Sequence, residues 1–178
     1  HKPMLDLAKD IFMFSLYTRG MAFIDIAYLK RGNLTGDLLQ YKRHKTGQLI
    51  QIGLPECAME LIRKYTFTMD DTDYLFPLLY YPEKKRCCSY DSALRLHNCR
   101  LKEISTIMKL PEPLTSYTPR HTWANLAKHL GVATIVISDA MGHTSEDTTK
   151  IYLDKINNTL LDEANNTVVA VIRNRNKY

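Results

Sequence analysis

The stretch MGHTSEDTTKIYL, residues 141–153, sets His143 after a glycine and Tyr152 nine positions further on. More polar groups resist a bland explanation: Arg19 in YTRGMAFIDIAYL, Lys45 in RHKTGQ, and Tyr117 and Arg120, with His121 alongside, in YTPRHTW. A guanidinium keeps its charge at any working pH and offers paired donors to an oxyanion. Lysine and histidine can carry protons, and a phenol can attack as a nucleophile or donate a hydrogen bond. Taken singly, each residue has an ordinary reading: Arg19 as a surface arginine, Lys45 as a turn lysine, His143 as a helix cap, Tyr152 as a core tyrosine on an amphipathic helix. Arg120 and His121 read alone as a solvated helix start, with Trp123 anchoring the core. What single readings leave unexplained is the joint order, with intervals of 26, 75, 23 and 9 residues linking Arg19, Lys45, Arg120, His143 and Tyr152.

The elements that must position these groups follow from periodicity and punctuation. Leu5, Ala8, Ile11, Phe12 and Ser15 repeat at helical spacing over 4–16, and a second helix is expected over 21–28. LLQYKRHKTGQLIQIGLP reads as a β-hairpin turning at His44-Lys45-Thr46-Gly47, with Lys45 at its tip. Pro55 fits the start of a helix over 56–66, and DYLFPLL, around 73–79, is expected to add a short third strand ended by Pro77. Helices follow over 89–109, 119–130 and 134–142, with Gly131 capping the second of these. Ser145 precedes Glu146, Asp147 and Thr148, which places acidic groups in the first turn of a helix carrying Tyr152. A last helix is expected over 159–172, apolar at Leu160, Leu161, Ala164, Val168, Val171 and Ile172.

The chain of 178 residues, 45% of them hydrophobic, suits a single domain spanning 1–178 with a real core. Its apolar runs fall well short of the roughly 20 residues that cross a bilayer, so a soluble protein with no membrane partner is expected. No signal-peptide pattern opens the chain, and its start at HKPML suggests a piece of something longer. Net charge +5 is compatible with a polyanionic partner and does not establish one. Cys87, Cys88, His97 and Cys99 lie close in sequence but lack the paired spacing of a zinc site, so reduced thiols are expected, with neither metal nor disulfide.

Taken together, the four quoted motifs resemble the catalytic domain of tyrosine recombinases, the phage-type integrase family, over residues 4–153. The resemblance implies an α+β, mainly helical fold with a small antiparallel three-stranded sheet, and one active site. It assigns Tyr152 as nucleophile, Arg19 and Arg120 to the attacked phosphate, Lys45 as general acid for the leaving 5′-oxygen, and His143 to the phosphate or the phenol proton. Tyr117 stands where the family pattern has histidine three residues before the second arginine. A branch carried by mobile elements of Bacteroides-like bacteria is similar in this respect. A phenol there can donate a hydrogen bond but cannot carry the charge of an imidazolium.

The activity implied is site-specific recombination of double-stranded DNA through a 3′-phosphotyrosyl intermediate, with no metal and no cofactor, consistent with the lack of a P-loop motif. The resemblance also implies a homotetramer on paired sites, accessory directionality factors, a bacterial cytoplasmic and nucleoid-associated location, and an N-terminal DNA-clamping domain that this chain does not include. Two competing readings share much of the sequence evidence. A type IB topoisomerase would use a similar tyrosine, arginines and lysine to relax DNA as a monomer. A recombinase-like binding module would grip DNA without cleaving it.

Overall fold

The computed structural model describes residues 3–66, 72–81, 86–142 and 149. Helix α1 (Pro3–Tyr17) lies at the centre, packed against α3 (Glu56–Thr66), α4 (Tyr90–Ile107) and α5 (Thr118–His129). Its buried stripe is Leu7, Ala8, Ile11, Phe14 and Ser15, steps of three and four that repeat on one helical face. Leu5 and Phe12, expected to share this stripe, are only half-buried. The short α2 (Phe23–Ala27) follows at once, and α6 (Thr134–Ala140) packs on α5.

The three-stranded antiparallel sheet is present, but its third strand is not where the sequence suggested. The order is β1 (Leu34–Thr35), β2 (Leu38–Lys42), β3 (Leu49–Gly53). Strand β1 pairs with β2 across Gly36-Asp37, with Thr35 opposite Leu38 and positive φ at Gly36, a two-residue glycine-first hairpin connection. The segment 73–79, broken by Pro77, contributes only an isolated bridge from Tyr74 to Lys30. A separate two-stranded ladder pairs β4 (Tyr80–Tyr81) with β5 (Arg86–Cys87). Strands β2 and β3 alternate exposed and buried, so Leu39, Tyr41, Ile50 and Ile52 face the core while Leu38, Gln40 and Lys42 face solvent.

The remaining helices lie within a residue or two of expectation. Ser89 caps α4 by accepting from Ser92 N–H at 3.3 Å. Gly131 (φ +79) ends α5: its N–H donates to Lys128 O at 2.9 Å and Val132 N–H to Ala127 O at 3.0 Å, both rungs of a Schellman turn. Trp123 is half-buried against the small α5–α6 cluster. The expected helix over 159–172 lies outside the described residues.

Candidate active site

Arg19 sits just beyond the end of α1, with φ at +60, a left-handed conformation that ordinarily favours glycine. The turn is held in place by three bonds. Gly20 N–H donates to Ser15 O at 2.8 Å, Thr18 Oγ1 donates to Phe14 O at 2.7 Å, and Ser15 Oγ donates to Met21 O at 2.7 Å. The half-buried Arg19 side chain leans toward the sheet, where Nη1 donates to Gln51 O at 3.4 Å.

Arg120 is buried in the first turn of α5 and binds two distant pieces of backbone. Its Nη1 donates to Gly20 O at 2.8 Å and its Nη2 to Met141 O at 2.7 Å. One side chain therefore ties the carbonyl next to Arg19 to the residue two before His143. Gly20 has to be glycine for this approach, because a Cβ there would stand 2.8 Å from Arg120 Cα.

The sequence reading missed Arg43. It is buried at the base of the hairpin turn, and its Nη1 donates to Gly142 O. Arg120 and Arg43 thus hold consecutive carbonyls at the end of α6, immediately before His143. Gly142 (φ +64) packs under this contact: a Cβ would come within 2.6 Å of Ile50 Cδ1 and 3.2 Å of Arg43 Cδ. Arg43 was legible by parity, since Leu39, Tyr41 and Arg43 continue one inward face two residues at a time. Tyr41 marks where these groups meet. Burial and then Asp25 raise its phenol above the ordinary range, while Arg120, Arg43 and Arg19 all pull against that shift.

Lys45 stands exposed on the turn, as expected. Arg43 N–H donates to Gln48 O at 2.9 Å and Gly47 N–H to Arg43 O at 2.8 Å, closing the loop. Behind Lys45 lies a second pair the sequence reading missed. Asp25, buried on α2, accepts from His44 N–H at 2.8 Å, and His44 Nδ1 stands 3.1 Å from the same Oδ1. The His44 ring packs on Tyr28 with centroids 4.7 Å apart. Asp25 carried no readable signal, because an acid one position before the buried Ile26 resembles any polar residue on a short helix.

Tyr117 is the residue preceding α5 and is 57% exposed. Its carbonyl accepts from Arg120 N–H at 3.1 Å, while its phenol lies near Tyr90. The structure thus gathers Arg19 and Arg120 with Arg43, places Lys45 two residues beyond Arg43, and sets Tyr117 at the mouth of the same helix. His121 is exposed on that helix's first turn. His143 and Tyr152 lie outside the described residues; between them only Thr149 is described, helical and fully buried. Of the cysteine region, His97 is buried and stacked on Phe23 at 4.5 Å, whereas Cys87 and Cys99 are exposed.

This central helix, antiparallel sheet and arginine-linked helix pair form the tyrosine-recombinase catalytic fold. The chain belongs to the phage integrase family, whose pattern matches residues 6–158. Among solved structures it is similar to XerA recombinase, with TM-score 0.64 and 19% identity over 91% of this chain and 62% of that one. It is also similar to the XerH site-specific recombinase bound to palindromic difH substrate, with TM-score 0.70 and 18% identity over 92% of this chain and 46% of the other. The Tn1549 transposon integrase in complex with circular intermediate DNA gives TM-score 0.65 and 13% identity, over 92% of this chain and 57% of that one. The chain therefore spans between about half and three-fifths of the length of these proteins. No curated protein matches it by sequence. Among the described residues no helix is long and apolar enough to cross a membrane.

Proposed function

We propose that this chain is the catalytic domain of a site-specific DNA recombinase that cleaves and rejoins double-stranded DNA through a 3′-phosphotyrosyl intermediate. The observation that carries the reading is the Arg120 guanidinium, which links the Arg19 turn to the backbone just before His143. Family motifs separated by a hundred residues thereby converge at one place.

In the proposed reaction the Tyr152 oxygen attacks phosphorus, the P–O5′ bond breaks, and the 5′-oxygen leaves with a proton from Lys45. His143 contacts the phosphate or helps take the phenol proton. Arg19 and Arg120 offset charge that grows on the nonbridging oxygens, and the burial of Arg120 strengthens its field there. Tyr117 donates a hydrogen bond to a phosphate oxygen. Rejoining reverses the same steps with another 5′-hydroxyl, so neither metal nor nucleotide cofactor is required. The wider reading is an enzyme of a Bacteroides-like mobile element, cytoplasmic and nucleoid-associated, assembling as a homotetramer on paired sites with accessory directionality factors. Its expected C-terminal helix would serve contacts between protomers.

The test is incubation with a nicked suicide substrate from the parent element's ends, followed by a denaturing gel. A covalent protein–DNA complex is expected with the unaltered chain and none with Tyr152→Phe; adduct from Tyr152→Phe would mean another nucleophile. Lys45→Ala should cleave ordinary substrate slowly and a 5′-bridging phosphorothiolate nearly normally, since a thiolate leaves without a proton. Equal defects on both would remove Lys45 from the acid role. Tyr117→Phe should lose roughly tenfold, the worth of about 1.4 kcal/mol, and full activity in that variant would leave Tyr117 only a packing role.

A further inference from the structure

A row of aromatic side chains runs between the two parts of the site that the family motifs leave separate. It starts at Tyr90 at the start of α4, which feels Tyr117 beside α5 electrostatically, continues to Tyr28 at the end of α2, and reaches His44 next to Lys45. Tyr90 and Tyr28 stack at 6.3 Å with 25° between their planes, and Tyr28 meets His44 at 4.7 Å. Phe23 backs Tyr90 from the core side at 6.1 Å and is itself stacked on buried His97. The row is thus braced from beneath and open above: Tyr117 is 57% and Tyr28 37% exposed, and Tyr90 is half-buried.

The phenol oxygens of this row differ from that of Tyr65, which donates to Asp10 at 2.8 Å. Among the described residues, none of the Tyr28, Tyr90 and Tyr117 hydroxyls makes a hydrogen bond. A tyrosine presented at a surface with its ring immobilised offers a donor at little entropic cost on binding. Burial first, then the Tyr117 and Asp91 groups, raise the Tyr90 phenol above its ordinary range, which favours the protonated, donating form. The nearby Asp25 carboxylate is buried and turned to His44, so it is not presented to a ligand along the row.

We propose that Tyr28 and Tyr90 form a ledge that hydrogen-bonds the sugar–phosphate backbone of the DNA strand running between Lys45 and Arg120, fixing the strand's path across the site. This rests on the reading of the chain as a DNA-acting enzyme. Tyr28 and Tyr90 are positioning residues: they hold the phosphates flanking the reacting one.

The contact is uncharged, and that gives it a signature. Lysine and arginine contacts release counterions, so their loss flattens the dependence of binding on salt, whereas loss of a hydroxyl donor lowers affinity at every salt concentration by the same factor. The experiment measures binding of the 178-residue chain to a 30-base-pair duplex of arbitrary sequence across a salt series. The proteins compared are unaltered, Tyr28→Phe, Tyr90→Phe and the double variant, each checked for an unchanged thermal melting curve. Phenylalanine keeps the ring stack, so the fold stays intact. Each single change is expected to weaken binding roughly three- to tenfold and the double change more, at an unchanged salt slope. Binding by the Phe variants equal to that of the unaltered chain overturns the ledge and leaves the recombinase reading standing. A weaker salt slope also overturns it, because the tyrosines would then act through neighbouring cations. Failure of the unaltered chain to bind duplex at low salt overturns both.

Discussion

Among the described residues, the body built on α1, the sheet, α3 and α4 buries twenty apolar residues in one cluster, whereas the α5–α6 pair buries four, with Trp123 packed at its margin. Four large apolar residues of the pair or its turn, Leu126, Leu130, Ile135 and Val136, are more than half exposed. What the pair lacks in apolar burial is supplied in part by two guanidiniums, which bond backbone carbonyls of Gly20, Met141 and Gly142. Arg120, which the proposed reaction assigns to the phosphate, therefore also holds α5 and α6 to the body. In the body, stability and chemistry are separable; in the helix pair they share residues.

The largest effect should come from Arg120→Ala, which strips the carbonyls of Gly20 and Met141 of their donors. Adduct formation should fall at least about a hundredfold, and thermal melting should show a loss of about 2–5 kcal/mol from the two unpaired carbonyls. A loss of activity at unchanged stability would show that the helix pair is held by packing instead. Phe14→Ala, in the body, should cost about 3–5 kcal/mol because Phe14 is fully buried and meets Phe76 edge-on at 4.8 Å. In surviving folded protein it should leave cleavage chemistry unaltered, which single-turnover kinetics would check.

Acid should strike the body in a defined window. Burial, and secondarily Arg100, holds His97 near a pKa of about 4, while the unfolded chain protonates at the ordinary value of about 6.5. Below about 6.5 the unfolded state takes up a proton that the folded state refuses, so stability declines until about 4, by on the order of 3 kcal/mol in all. His97→Phe should flatten that part of a denaturation-against-pH profile. A smaller effect is expected of Gly20→Ala, where φ of +68 and the 2.8 Å approach to Arg120 Cα both oppose a side chain. It should cost about 1–3 kcal/mol and misplace Arg120, lowering activity more than its stability loss accounts for. Leu130→Ser, on the exposed side of the pair, should change stability by no more than about 0.5 kcal/mol.

Much of this was legible in sequence. The helix over 56–66 follows from Pro55 at its start, and the hairpin from two β-favouring runs around a glycine turn. The misplaced third strand shows the limit: DYLFPLL has strand-like composition, but Thr35-Gly36-Asp37-Leu38 has the turn chemistry, and turn chemistry decided the pairing. Among the site residues, those in linear motifs were readable. The inward side of Arg43 was readable from strand alternation, but its partner 99 positions away was not, and Asp25, whose partner lies 19 positions away, had no local pattern to announce it.

The left-handed residue at position 19 has an evolutionary consequence. Among the described residues, four helices end in the same way, at Arg19, Lys109, Gly131 and Gly142, and only two of those positions use the residue that the backbone prefers. Arg19→Gly would relieve on the order of 1 kcal/mol of backbone strain. A population of variants screened for heat resistance alone would drift toward glycine at 19, and one screened for strand transfer would keep arginine. Divergence between the two screens at that codon would measure, in selection coefficients, what the reaction demands of the turn.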